Sequence, residues 1–181
     1  MKKAICFFAA LPMLFVTSCL DDNETNYAEW KEKNEKYVTL CADSTSGGVK
    51  IYEKVIPTWA PNAFVLMKWH NNRMLTASNL MPLDNSTVDV KYCLRNVEGN
   101  VLDSSYASTT YGDSIYRTRP NVNVIGFWVG LTNMHVGDSV TMVIPYQAGY
   151  GSASQGSVLP FSTLIYDVKL KSIYRYETPN N

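Results

Sequence analysis

The stretch from Asn123 to Pro145 reads NVIGFWVGLTNMHVGDSVTMVIP and changes period in its middle. Asn123 to Ile125 is extended in character, and Gly126 to Met134 is apolar nearly all round, as a short buried helix is, before stopping near Gly137. From Asp138 to Pro145 the apolar residues Val140, Met142 and Ile144 recur at every second position, the spacing of a strand with one covered face. A helix this short is not stable alone and needs a sheet to cover it. Outward on the N-terminal side, Val88, Val90, Tyr92 and Leu94 alternate with Asp89, Lys91, Cys93 and Arg95, which predicts a half-buried strand. A glycine-containing turn over Asn96 to Asn100 then leads into an extended Val101-Leu102-Asp103. On the C-terminal side, Gln147 to Phe161 is a loop rich in glycine and serine, and Ser162 to Tyr174 is a closing strand with Leu164, Tyr166, Val168 and Leu170 inward. Strands around one short helix, lodged before the last two strands, predict an α+β fold with an antiparallel sheet wrapped on that helix.

The remaining segments carry less information. Thr25 to Leu40 is charged and helix-favouring, with Tyr27, Trp30, Tyr37 and Cys41 on one stripe and Glu29/Lys33 and Glu32/Lys36 outside. That stripe is expected to dock on the chain's own core. Asp43 to Gly48 is a turn cluster, Val49 to Ile56 and Ala63 to His70 are predicted strands separated by Pro57 and Pro61, and Asn71 to Asn85 is a loop. Tyr106 to Pro120 is polar, aromatic and without period, as a flap or insertion is.

With 46% hydrophobic and 18% charged residues, the 181-residue chain has material for one core and at most an appendage, and most of it is not disordered. Sixteen basic residues balance sixteen acidic ones, so no basic face for nucleic acid is expected. Two histidines and four cysteines, none in a CxxC pair, argue against a structural zinc or iron–sulfur site. His70 and His135 are lone, and no GxSxG elbow or paired-carboxylate spacing stands out. Gly149-x-Gly151 is not followed by a helix, which argues against a phosphate loop.

Residues 1–18 have the layout of a secretory signal: Lys2-Lys3, an apolar run from Ala4 to Val16, then small residues. The run is shorter than the roughly 20 residues a membrane span needs. Val16-Thr17-Ser18-Cys19 resembles a bacterial lipobox, which implies acyl chains on Cys19 and a membrane as partner. The alternative is an ordinary cleaved signal. Its removal leaves 14 basic against 16 acidic residues, a net charge of −2. Asp21, Asp22 and Glu24 form an acidic stretch over 19–25 that is either a solvated tether or similar to a surface-display signal. The expected location is the cell envelope, lipid-anchored at the outer membrane on either its periplasmic or its surface-exposed face. Cys41 and Cys93 would then share an oxidising compartment, and whether they pair is open.

Four segments, in order and at matching separations, resemble the FKBP-type peptidyl-prolyl cis-trans isomerases. They are Val88-x-Val90-x-Tyr92 with Gly99 and Leu102-Asp103-Ser104-Ser105; Val124-Ile125-Gly126-Phe127 with Gly130-Leu131 and Met134-x-x-Gly137; Ile144-Pro145 with Gly149-Tyr150-Gly151; and Leu159-Pro160 through Leu164-x-Tyr166-x-Val168. The resemblance implies an FKBP-like domain over 82–176, a twisted antiparallel sheet around one short helix, preceded by an extension over 26–81 holding a helix and extra strands. It implies a cleft between helix and sheet, with Tyr150, Asp103, Tyr92 and Phe127 as its catalytic residues and Leu102, Val124, Val158 and Tyr166 as substrate-binding walls. Spacing back from Gly130 and Met134 puts Phe127, not Trp128, at the floor position. The chain departs from the family at Leu102, where phenylalanine is usual, at Phe127, where tryptophan is usual, at Cys93-Leu94, where threonine and glycine follow, and in Tyr106 to Pro120, where an expected Phe-x-x-x-Gly strand is not recognisable. The loop from Gly151 to Phe161 is about one residue short.

The chemistry such a cleft performs breaks no bond. Rotation about an amide costs about 18–20 kcal/mol because the planar form is resonance-stabilised, and X–Pro bonds exchange over tens of seconds or longer. A site that favours the twisted amide over the planar one suffices, with no nucleophile, metal or cofactor. The expected function is therefore isomerisation of X–Pro bonds in proline-containing segments of exported proteins, Tyr150 donating to the substrate carbonyl and Tyr92 paired with Asp103 at the cleft edge. The alternatives are a peptide-binding or chaperone module without turnover, favoured by Leu102 and Phe127, and a structural surface lipoprotein working through Tyr106 to Arg119. Without a long dimer-forming helix, a monomer is expected.

Overall fold

The computed structural model describes residues 27–177 of the chain. Helix α1 (Ala28–Asp43) is followed by a small hairpin of β1 (Thr45–Ser46) and β2 (Val49–Lys50). Strands β3 (Glu53–Val55), β4 (Val65–Trp69), β5 (Thr87–Arg95), β6 (Val101–Ser104) and β7 (Tyr116–Thr118) precede helix α2 (Ile125–Thr132). Strands β8 (Ser139–Ile144) and β9 (Leu164–Arg175) complete the order. Apart from β1 and β2, the strands form one antiparallel sheet in the order β3-β4-β8-β9-β5-β6, with β7 also on β5. This is the α+β architecture the alternation predicts.

Strand β5 organises the sheet. One edge pairs with β9 along its length, and the other is divided between β7 at Val88 to Val90 and β6 at Cys93 to Arg95. Register shifts at Thr87/Val88, Asp89/Val90 and Leu94/Arg95 bend and twist the strand so that the sheet curls over α2. The core lies between them: Phe127, Leu131 and Met134 meet Val88, Val90, Val140, Met142, Ile144, Leu164, Val168 and Leu170, all buried. Two glycines set how close helix and sheet come. A Cβ on Gly126 would lie 2.3 Å from Ile144 Cγ2, and one on Gly130 2.3 Å from Met142 Sδ, so only bare backbone admits β8 at this distance.

Helix α1 covers the opposite face, where Cys41 packs with Leu66, Val143, Tyr37, Val38 and Phe64. It begins and ends about three residues later than the predicted Thr25 to Leu40. The predicted stripe also omits its most buried member. Asn34 is fully buried; its Oδ1 accepts from the Thr163 N–H at 2.6 Å and its Nδ2 donates to the Trp30 carbonyl at 2.7 Å. Trp30 donates to Ser162 Oγ at 3.1 Å beside it. Burying an amide is tolerable because its polar atoms are bonded.

The predicted strand over Val49 to Ile56 is interrupted. Gly47 (φ +58°) and Gly48 (φ +81°) turn the β1–β2 hairpin, and a bend at Ile51-Tyr52 separates it from β3. Strands β3 and β4 then extend the main sheet, and Val65 and Met67 enter the same core as α2. Both Cys41 and Cys93 are free thiols, and burial pushes Cys41 up, partly offset by hydrogen bonds with Tyr52 and Tyr37. The signal segment, Cys19 and the acidic stretch lie outside the described residues. Among those described, no helix is long and apolar enough to cross a membrane.

The loop over 71–85 is latched by one carboxylate. Asp138, fully buried, accepts from Asn71 Nδ2 at 2.9 Å, from Thr76 Oγ1 and from the His135 N–H at 2.8 Å, with Arg73 at 3.5 Å and the His135 ring at 3.6 Å. Burial pushes this carboxyl up, but the hydrogen bonds and Arg73 outweigh it and hold it below its ordinary value. Its contribution to stability is present above the unfolded value near pH 4 and is lost as the pH falls through the lower folded one. Asp138→Asn is expected to lower stability by about 1–3 kcal/mol at pH 7, with the gap to wild type shrinking towards pH 3. Urea unfolding at the two pH values checks this, and an equal gap at both would contradict it.

Candidate functional site

The site starts from the alternation of β5. Tyr92 points to the α2 face, and its hydroxyl donates to Asp103 Oδ2 at 2.6 Å across the β5–β6 pairing. The next inward ring is Phe127, in the first turn of α2, 4.7 Å from the ring of Tyr166 at the start of β9. Tyr92 meets Phe127 edge-on at 6.4 Å and Tyr166 at 5.7 Å, and Tyr116 of β7 stands edge-on to Tyr92 at 5.3 Å. Offset and edge-on contacts of this kind are the favoured packing of aromatic rings.

Two loops close the ring of residues. Tyr150 follows a 3₁₀ turn over Tyr146 to Ala148, and Gly151 (φ +64°) folds its N–H back onto the Tyr146 carbonyl at 2.9 Å. Gln155 and Val158 exchange backbone hydrogen bonds of 3.0 and 2.9 Å, and Ser157 Oγ donates to the Leu102 carbonyl at 3.1 Å, tying this loop to β6. The result is a continuous cleft. One part is lined by Leu102, Asp103, Tyr150, Val158 and Tyr166; the most voluminous, about 470 Å³, by Val124, Phe127, Tyr150 and Tyr166; the most enclosed by Tyr92, Asp103, Phe127, Tyr150 and Tyr166. That volume lies in the range of small-ligand clefts. All eight residues expected to wall a cleft thus meet in this one.

Trp128 points elsewhere, stacked on Trp59 at 4.3 Å with its indole N–H on Asp84 Oδ1 at 2.6 Å. Further lining residues were not anticipated, among them Tyr116, Val122, Asn123 and Gln155. Tyr116 corrects the reading of Tyr106 to Pro120 as flap or insertion throughout, because Tyr116–Thr118 is a strand on β5, locked by Arg117 on Asp89 at 2.7 and 2.9 Å. Three residues carry too little alternation to mark this strand in the sequence. A separate hollow between α1 and Pro145 to Gln147 contains none of these rings and is lined by Phe64 and Tyr146 instead.

The phenols keep their protons at neutral pH. Burial, then the hydrogen bond to Asp103, pushes Tyr92 far up; burial first does the same for Tyr166. Burial also pushes Tyr150 up, with Tyr116 and Asp103 adding to it. Neither histidine reaches the cleft: His70 pairs with Thr141 Oγ1 and His135 with Asp138. What the arrangement offers is a buried aromatic floor with hydroxyl donors at its rim, suited to holding and distorting a neutral group rather than to attacking it.

Residues 79–171 match the family model described as FKBP-type peptidyl-prolyl cis-trans isomerase. Over 92 residues the chain is 34% identical to the FKBP-type peptidyl-prolyl cis-trans isomerase FkpA of Escherichia coli K12, a match covering 51% of this chain and 33% of that protein. It is 32% identical over 88 residues to FK506-binding protein 1 of Gibberella zeae, covering 48% of this chain and 79% of that protein. The crystal structure of FkpA from Escherichia coli superposes with a TM-score of 0.68 at 23% identity, over 86% of this chain and 64% of that one. The match thus spans about a third of the E. coli protein's length, and the structural likeness speaks for the fold.

Proposed function

From the premise that this chain belongs to the FKBP-type peptidyl-prolyl cis-trans isomerase family, we propose that it isomerises X–Pro bonds in proline-containing segments of exported proteins. The observation that carries the proposal is the meeting of Phe127, Tyr166 and Tyr150 with the Tyr92–Asp103 pair in one cleft. In this scheme the proline ring rests on Phe127 between Leu102, Val124, Val158 and Tyr166. Water is stripped from the carbonyl, and the hydrogen bonds that favour the planar, charge-separated amide go with it. Tyr150 donates to the substrate carbonyl, and Asp103 holds Tyr92 in place at the edge. No proton or electron pair changes owner; the gain lies in binding the twisted amide better than the planar one.

An isomerisation assay on an unstructured prolyl peptide tests this. Wild type is expected to accelerate exchange and Tyr150→Phe to lose about tenfold in kcat/KM, the worth of one hydrogen bond. Wild type no faster than Tyr150→Phe or than buffer would sink it. In that case the peptide-binding module becomes the better account, and the departures at Leu102 and Phe127 are the features that favour it.

The finer assignments belong to the same proposal. They are signal cleavage after Ser18, lipid on Cys19, an envelope location, a monomeric state, and an FKBP-like domain over 82–176 built on the extension over 26–81. The lipobox-like Val16 to Cys19 supports the anchor. Mass spectrometry of the mature N-terminus checks it, and an unmodified Cys19 would remove it.

A further inference from the structure

Tyr166 enters the cleft as part of its wall, but its hydroxyl has no work inside the protein. The residue is 9% exposed, borders all three parts of the cleft, and lies among Tyr150, Asp103 and Tyr116. Tyr92, equally buried, has given its O–H to Asp103. Among the described residues, no group exchanges a hydrogen bond with the Tyr166 hydroxyl. A phenylalanine would fill the same wall, so the hydroxyl adds nothing to its packing. The ring is buried, but its hydroxyl oxygen is not sealed from the cleft, so a ligand entering there meets a donor that no group among the described residues occupies.

We infer that Tyr166 is a substrate-binding donor. Its hydroxyl gives a hydrogen bond to a second backbone carbonyl of the bound prolyl segment, other than the one taken by Tyr150. Two donors on two carbonyls fix the segment's register in the cleft and favour an extended main chain over an isolated proline ring. This rests on the isomerase reading for the ligand's chemistry, although binding can be measured without turnover.

The test compares wild type with Tyr166→Phe, using a tetrapeptide with a central Leu-Pro bond. Loss of one neutral hydrogen bond should weaken Kd, read by chemical-shift titration, about fivefold. KM should rise by the same factor with kcat within about twofold, and the thermal midpoint should hold or rise. An unchanged Kd overturns the inference. So does a midpoint lowered by more than about 3 °C, or failure to fold, because the hydroxyl would then be serving the protein's own structure. Wild type that binds the tetrapeptide without isomerising it sinks the isomerase reading alone and leaves the Kd comparison intact. Wild type that binds no prolyl peptide sinks both.

Discussion

Phe127→Ala should cost about 3–5 kcal/mol of folding stability and abolish acceleration of prolyl exchange. The ring is 3% exposed and touches Tyr166 and Tyr92, so its removal leaves a void continuous with the cleft. Such a void is open to water, which restores the hydrogen bonds to the substrate carbonyl that a dry floor withholds. Stability and chemistry are lost together in this variant, and Phe127→Leu separates them. Leucine keeps most of the apolar volume, so unfolding should cost less than about 1.5 kcal/mol. It presents no flat face to a proline ring, and kcat/KM should still fall by about tenfold or more. Urea unfolding and the isomerisation assay on both variants decide the matter. Undiminished turnover in Phe127→Leu would remove the ring from the mechanism.

Gly126→Ala is the second change with a large expected effect, and it runs against helix propensity. In an exposed helix, alanine is worth about 1 kcal/mol over glycine. Here the added Cβ would meet Ile144 at 2.3, 2.9 and 3.1 Å for Cγ2, Cγ1 and Cβ. Ile144 is fully buried, and branching at Cβ makes its side chain stiff, so helix and strand must separate. The cost should be about 3 kcal/mol or more, read as a lowered urea midpoint. Gly130→Ala should cost less, because its obstacle is the flexible end of Met142, Sδ at 2.3 Å and Cε at 2.6 Å. Combining Gly126→Ala with Ile144→Ala should cost less than the sum of the two single changes, since both act on one contact. Equal midpoints for the two glycine variants would show that α2 shifts as a unit.

Much of the site was legible through the resemblance of ordered sequence segments to a known family. Tyr92 in the Val88-to-Leu94 strand, Asp103 before two serines and Phe127 at its spacing from Gly130 and Met134 stand where the family's motifs place cleft residues. Tyr116 was hidden because a strand of three residues has too little period to detect and exists only by pairing with β5. Asn34 was hidden because a polar residue in a charged helix reads as solvent-facing unless its partner is known, and that partner is Thr163. The interruption at Ile51-Tyr52 was missed for a similar reason: the segment's composition favours a strand, but its neighbours in the sheet accept only β3.

Local period and residue type, which are properties of neighbours along the chain, were therefore enough to set the α+β class and the helix over α2, while the residues of the cleft came from the resemblance of four segments to a known family. Which polar groups are bonded, and to what, depended on segments far apart in sequence meeting in space. Tyr92 with Asp103, Asn34 with Thr163, and Asp138 with the loop over 71–85 all belong to that second class. A buried polar atom must find a partner within about 3 Å, and only the folded chain brings one that near.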